Sequence, residues 1–398
     1  MKRCLAVSLL VLAAAACGGK SKPPVSPMVA AIDAALKEHP DDALLHYLRA
    51  TAAPAEAMPH LERMDALGWD VPLYPHEFAP VTDDPRYAAI AANIAKRAPR
   101  VARSEVAFTL TEPDLIPEGI AVDSRTGTFY VGSLRKRTVL AIDGAGAVTT
   151  FADSEDGLVA VLGMKVDEAR DLLWVATWKS PSHEGAGEGD SGESAVVAFQ
   201  IADRTVARRV RLPDDGEHLP NDLALAADGT VYVTDSIGGG VYRIPADKDV
   251  LETLVAPGTL SYPNGIALAA DGALFVGHAL GLSRVEVATG ALEPVDAPAG
   301  VILGGIDGLL RDGNRLVAVQ NGIGQGRLVA FALDAAGTHV TGMTVLENDP
   351  DALAIATTSA LAGGALYTIA NAQLDALGPD GLVADKALTP SRVLRTPL

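Results

Sequence analysis

The sequence predicts an all-β fold, a six-bladed β-propeller preceded by a small α-helical region. Two observations carry this. Six segments share one plan, an apolar strand, a turn often written Asp-Gly, and a second strand with an aromatic residue or Leu. They begin at Pro117, Leu162, Pro220, Pro263, Ile306 and Thr357, and their second residues are spaced by 45, 58, 43, 43 and 51 positions. Propeller blades repeat at about 40–50 residues with four strands each, whereas an all-β sandwich needs no repeat of this length.

The chain has 398 residues, and its 50 acidic against 32 basic side chains give a net charge of −18. That balance argues against nucleic acid as a partner, because phosphate binding needs a concentrated basic surface. Lys2 and Arg3, an apolar run from Leu5 to Ala16, and the small residues Ala14, Ala15 and Ala16 before Cys17 form a secretory signal. The run is too short to span a bilayer, which takes about 20 apolar residues. A Cys directly after small residues resembles a bacterial lipobox, although Ala14 stands where Leu is usual. The resemblance implies a lipoprotein signal peptide over 1–16, a lipidated Cys17 with a flexible tether over 17–27, and membrane attachment through acyl chains. Export to the cell envelope follows, with Gly18 pointing to the outer membrane, facing the periplasm or the cell surface. Cys4 would leave with the signal, so no disulfide is expected.

Residues 28–100 carry helical spacing: Met28, Ile32 and Leu36, then Leu44, Leu45 and Leu48, then Leu61, Met64 and Leu67, then Tyr87, Ile90, Ala91 and Ile94. Breaks are expected at Pro40, Pro54, Pro59, Gly68 and Pro85. The stretch resembles helix pairs of tetratricopeptide type without a full repeat, and a packing or spacing role is favoured over docking of a protein partner.

The propeller is expected over 104–398. Residues 104–110 and 391–398 are candidates to pair and close the ring, which removes two exposed sheet edges. The long gap in blade two is an acidic, Gly-rich insertion over 179–194 that reads as solvated.

In a propeller the innermost strands line the axis, so equivalent positions converge there. The second positions of the six segments are Glu118, Gly163, Asn221, Asn264, Asp307 and Thr358. Four of them offer oxygens suited to a hard cation, two carboxylates and two amide carbonyls. With no Cys or His in the set, Ca²⁺ is the first choice, ahead of Zn²⁺, Mn²⁺ or Mg²⁺. Each motif alone also reads as a turn, Pro-Asn-Gly above all. Turn chemistry, however, does not call for Glu in blade one.

At these residues the chain resembles the senescence-marker-protein/gluconolactonase/luciferin-regenerating-enzyme-like family, which includes regucalcin and is related in plan to diisopropylfluorophosphatase and the paraoxonases. The resemblance covers roughly residues 105–398. It implies metal ligands at Glu118, Asn221, Asn264 and Asp307, and hydrolysis of a lactone, ester or phosphotriester. Asp307 is implied as general base or nucleophile, acting on a carbonyl polarised by the metal. Leu219 stands where gluconolactonases place a substrate-binding Arg, which turns the expectation from sugar-acid lactones toward a more apolar lactone or ester. Asp222 resembles the paraoxonase Asn-Asp pair and is a candidate ligand or orienting group. His218 and His278 lie near enough in sequence to reach a pocket, while Asn321 and Asn371 read as hairpin residues. A second class of function stays beside the first, a non-catalytic, lipid-anchored propeller acting as a binding or scaffold module.

Overall fold

The computed structural model describes residues 26–187, 192–213, 216–378, 381–383 and 387–398. The expected signal peptide, Cys17 and all of the expected tether except Ser26 and Pro27 lie outside the described residues.

Four helices come first, α1 (Pro27–Glu38), α2 (Ala43–Ala52), α3 (Met58–Ala66) and α4 (Pro85–Arg97). Their starts follow from capping chemistry: Ser26, Asp42 and Asp84 accept hydrogen bonds from first-turn amides that lack an intrahelical partner. Pro40 and Pro54 fall between helices as expected. Pro59 instead sits in the first turn of α3, where its missing N–H costs nothing. Each helix packs on the next, burying Leu61, Met64, Ile90 and Ile94, with Tyr47 stacked on Trp69 at 5.0 Å between ring centres.

The rest of the chain is a six-bladed propeller. Each of six antiparallel sheets has four strands. The first strands of the six sheets are Pro117–Asp123, Ala160–Asp167, Pro220–Leu225, Ile266–Leu268, Ile306–Asp312 and Ser359–Ala362. Each contacts the first strand of the next sheet, and the sixth contacts the first, so these strands form the inner ring around the axis. Blade six is completed by the earliest strand of the chain, Glu105–Leu110, which pairs with Ser391–Pro397 from Glu105↔Arg395 to Leu110↔Ser391. The two ends of the propeller sequence are thereby joined in one sheet, with Glu105–Leu110 as its outermost strand.

Apolar side chains fill the wedges between blades. Tyr130, Phe151, Leu173 and Phe199 pack together between blades one and two, and Phe275, Leu316 and Phe331 between blades four and five. Near the axis the backbones themselves touch. A Cβ on Gly163 would lie 2.4 Å from the Asn221 carbonyl oxygen, and one on Gly265 2.4 Å from that of Asp307. Glycine is required at both positions by close approach of the neighbouring inner strand.

The insertion after blade two's second strand is not simply solvated. Ser180 and His183 are buried, and Ser182 Oγ donates to the Gly378 carbonyl of blade six at 2.6 Å. This stretch also reaches blade one, where the Glu184 N–H donates to the Arg135 carbonyl at 2.8 Å. The acidic, Gly-rich composition hid the few residues that anchor it. Among the described residues, no helix is long and apolar enough to cross a membrane.

Candidate axial site

A recurring backbone irregularity sets the site. In blade one, Pro117 pairs with Ser133 but Ile120 pairs with Val131, so the inner strand carries one extra residue across Glu118 and Gly119. The same shift occurs at Leu162–Gly163, Asn221–Asp222 and Asp307–Gly308. A β-bulge of this kind turns side chains out of the regular alternation. In blade four, Asn264 lies just before a short inner strand and its N–H donates to the Gly277 carbonyl at 2.9 Å.

All four predicted residues stand on or just before inner strands, and hydrogen bonds orient the side chains of Asn221, Asn264 and Asp307. Asn264 Nδ2 donates to Asp307 Oδ1 at 2.8 Å. Asn221 Nδ2 donates to Ser236 Oγ at 2.9 Å, and Ser236 in turn donates to the Pro263 carbonyl at 2.6 Å. Each amide nitrogen is thus occupied, which leaves the amide oxygen facing the other way. Glu118 Oε2, Asn221 Oδ1 and Asn264 Oδ1 are buried acceptors without a hydrogen-bond partner. Buried acceptors are costly when unmet, so these three oxygens are open to a hydrogen-bond donor or a cation.

The electrostatics agree. Burial pushes the Glu118 carboxyl well up, the charges of Asp307 and Asp222 add to this, and Lys165 opposes it. Burial raises Asp307 to about 7 against the hydrogen bonds of Asn321 and Asn264, with Asp222 adding to the rise. Among the described residues, no group of three His, Cys, Asp or Glu side chains is arranged to hold a metal. Here two of the four candidate donors are amides.

The structure gives Asp222 a partner the sequence did not suggest. Its Oδ1 accepts from Lys165 Nζ at 2.7 Å and from the Leu223 N–H at 2.8 Å. The side chain is ion-paired and orients the bulge. Asn321 is no mere hairpin residue: its Nδ2 donates to Asp307 Oδ2 and, at 2.7 Å, to the Ala356 carbonyl. Thr358 donates to the Glu118 carbonyl at 2.5 Å and Thr357 to the same oxygen at 2.9 Å, closing the ring between blades six and one. The signal for Ser236 and Asn321 was present in the sequence, since both directly follow the second strand of their hairpin, one residue past the pairs Pro220↔Asp235 and Ile306↔Gln320.

The histidines serve the connections. His218 Nδ1 lies 2.5 Å from Asp235 Oδ2, and Asp235 Oδ1 accepts from the Leu219 N–H at 2.8 Å, which fixes the entry to Asn221. His278 Nδ1 accepts from the Leu280 N–H at 3.3 Å, so Nε2 carries the proton and faces Ser283 Oγ at 3.1 Å. Burial lowers the His278 pKa from 6.5 to about 4. Between these values the unfolded chain binds more protons than the folded one, so the stability contributed by neutral His278 is lost as pH falls. His278→Gln is expected to flatten the fall of the melting temperature between pH 6.5 and 4. An unchanged slope would show that His278 does not drive it.

The axial residues begin their strands, so the site lies toward the face that carries the connections between blades and the turns between second and third strands. The helices pack on this face against blade five, and the blade-two insertion bonds to blades one and six. Over blades three and four, Ile237 and Tyr262 are 43% and 45% exposed. Tyr262 directly precedes Pro263-Asn264 with a positive φ of 52°, a conformation uncommon for a bulky residue. Its phenol is pushed up to about 12 by burial and by the charges of Asp307 and Glu118, although the residue as a whole is exposed.

No protein-family model matches the sequence, and no curated protein matches it. Solved structures do match. A gluconolactonase from Xanthomonas campestris aligns with a TM-score of 0.50 and 18% identity, over 75% of this chain and 94% of its own. A calcium-binding regucalcin from Agrobacterium tumefaciens gives 0.50 and 18%, over 73% and 95%. The chain shares their fold. An aldose sugar dehydrogenase from Streptomyces coelicolor, bound to PQQ, aligns as well, with a TM-score of 0.50 and 15% identity over 75% and 99%. One architecture thus serves different chemistries, and the choice among them rests on the axial residues.

Proposed function

We propose that the protein is a divalent-cation-dependent hydrolase of a lactone or ester. The observation that carries this is the set of three buried, unpartnered oxygens, Glu118 Oε2, Asn221 Oδ1 and Asn264 Oδ1, beside the carboxylate of Asp307. Oxygen donors of mixed charge suit Ca²⁺, with Mg²⁺, Mn²⁺ and Zn²⁺ as the other cations to test. Held by these four residues, the cation would supply polarisation of a substrate carbonyl and charge to stabilise the developing oxyanion.

The protein's own groups do the rest. Asp307 is the proposed base or nucleophile, kept in one orientation by amide donors on both oxygens. Lys165 offsets the charge of Asp222 and so limits the negative charge at the axis to what the cation balances. Leu219 is buried and offers no charged contact to a sugar acid, while Tyr262 and Ile237 give the approach an apolar, aromatic border. An apolar lactone or ester fits this border better than a polyol. The likeness to a gluconolactonase and to a calcium-binding regucalcin supports lactones as the first substrates and Ca²⁺ as the first cation.

Calorimetric titration of Ca²⁺ into chelator-stripped protein, beside Glu118→Gln and Asp307→Asn, tests the reading. One saturable site, weakened at least tenfold in both variants, is the expected result. A folded wild type silent toward Ca²⁺, Mg²⁺, Mn²⁺ and Zn²⁺ would overturn it and favour a binding or scaffold module.

A further inference from the structure

The helices are wired to the loops that carry Asp307 and Asn321. Ile302 and Ile323, both propeller residues, are buried in the apolar core of the helical region with Leu44, Tyr47 and Trp69. Ile302 stands five residues before Asp307, and Ile323 two residues after Asn321. Tyr47 is the junction: its hydroxyl donates to Glu77 Oε1 at 3.0 Å and accepts from the Gly324 N–H at 2.7 Å. The Gln325 N–H donates to the Pro72 carbonyl at 2.8 Å.

A buried polar chain runs alongside. Asp70, between α3 and α4, accepts from Arg327 Nη1 at 3.1 Å, and Arg327 Nε donates to Gln320 Oε1 at 2.8 Å. Gln320 Nε2 donates to the carbonyls of Ile302 and Gly304 at 2.8 and 2.9 Å, and the Gly322 N–H donates to the Gly305 carbonyl at 3.1 Å. The two segments that end at Asp307 and begin at Asn321 are therefore tied to each other and to the helices. There is little slack in them. A Cβ on Gly304 would lie 2.4 Å from Leu44 Cδ2, and one on Gly324 2.5 Å from the Pro72 carbonyl oxygen.

We infer that the helical region is a positioning element of the axial site, holding segments 302–306 and 321–327 so that Asn321 keeps the Asp307 carboxylate aimed at the axis, with Tyr47 as the positioning residue. The inference rests on the reading of the site as a cation centre. Rigid support from neighbouring elements is what fixes such a constellation to a fraction of an ångström. The helices act through the loops and touch neither cation nor substrate.

The test compares Tyr47→Phe and Leu44→Ala with Ile94→Val, a change inside α4, which packs on α3. Hydrogen exchange over 302–307 and 321–327 is read first, then Ca²⁺ affinity. Tyr47→Phe is expected to speed exchange in both segments at least tenfold and to weaken Ca²⁺ about tenfold, with Leu44→Ala acting in the same direction. Ile94→Val is expected to lower the melting temperature and leave both readouts at wild-type values. Unchanged exchange in Tyr47→Phe, or an equal change in Ile94→Val, overturns the inference. The exchange readout does so even if the wild type binds no cation, a result that would sink the cation reading by itself.

Discussion

Replacing Asp307 with Asn is expected to lower turnover by at least about a hundredfold while the propeller stays folded, since loss of a general base or nucleophile removes about 10²–10⁴ in rate. The substitution keeps the shape of the side chain but changes what its neighbours meet. Asn264 Nδ2 and Asn321 Nδ2 both donate to the carboxylate. An amide has one acceptor oxygen, so one of these donors would face an NH₂ group. That cost, about 1–3 kcal/mol, is opposed by relief from burying a charge among Glu118 and Asp222. Cooperative unfolding near the wild-type midpoint is therefore expected, and the lost rate reflects chemistry. The measurement is turnover of a lactone or aryl ester that the wild type hydrolyses. In the same assay Tyr262→Ala is expected to raise KM severalfold with a smaller change in kcat, because its ring borders the approach. Near-normal turnover by Asp307→Asn would remove that residue from the mechanism, and an unchanged KM would remove Tyr262 from the substrate path.

The largest stability effect is expected at the pair that joins the helices to blade five. Arg327 has a side chain 2% exposed, and burial lowers its pKa against the pull of Asp70. Asp70→Asn leaves that guanidinium inside the protein with Gln320 as its neutral acceptor. Breaking a buried pair from one side costs about 3–5 kcal/mol, and the partial exposure of Asp70 places the expected loss near the lower end, about 3 kcal/mol. Denaturant unfolding measures it. Adding Arg327→Met to the Asp70 change is expected to recover most of the loss, because the uncompensated charge is then gone. A single variant within about 0.5 kcal/mol of wild type would show that the pair is not holding this junction.

Much of this molecule was legible from its residues. The hairpin repeat specifies six blades because alternation and Asp-Gly turns are local properties, and the repeat length excludes other all-β plans. The axial set Glu118, Asn221, Asn264 and Asp307 followed from a shared position in that repeat, since a ring brings equivalent positions together whatever their separation along the chain. Composition misled at the blade-two insertion, where two buried residues and one hydrogen bond outweigh a solvent-like sequence.

Tertiary structure alone decided the rest. The bulge that turns Glu118, Asn221 and Asp307 out of strand alternation depends on pairing with the second strand, and no local pattern announces it. The partner of Asp222 is Lys165 of the neighbouring blade, 57 residues away, and that of Asp307 is Asn321, which local turn chemistry explained equally well. The helical periodicity showed which faces of α1 to α4 must be covered but not by what. Ile302 and Ile323 answer that question, and they do so from the far end of the chain, where only packing can bring them.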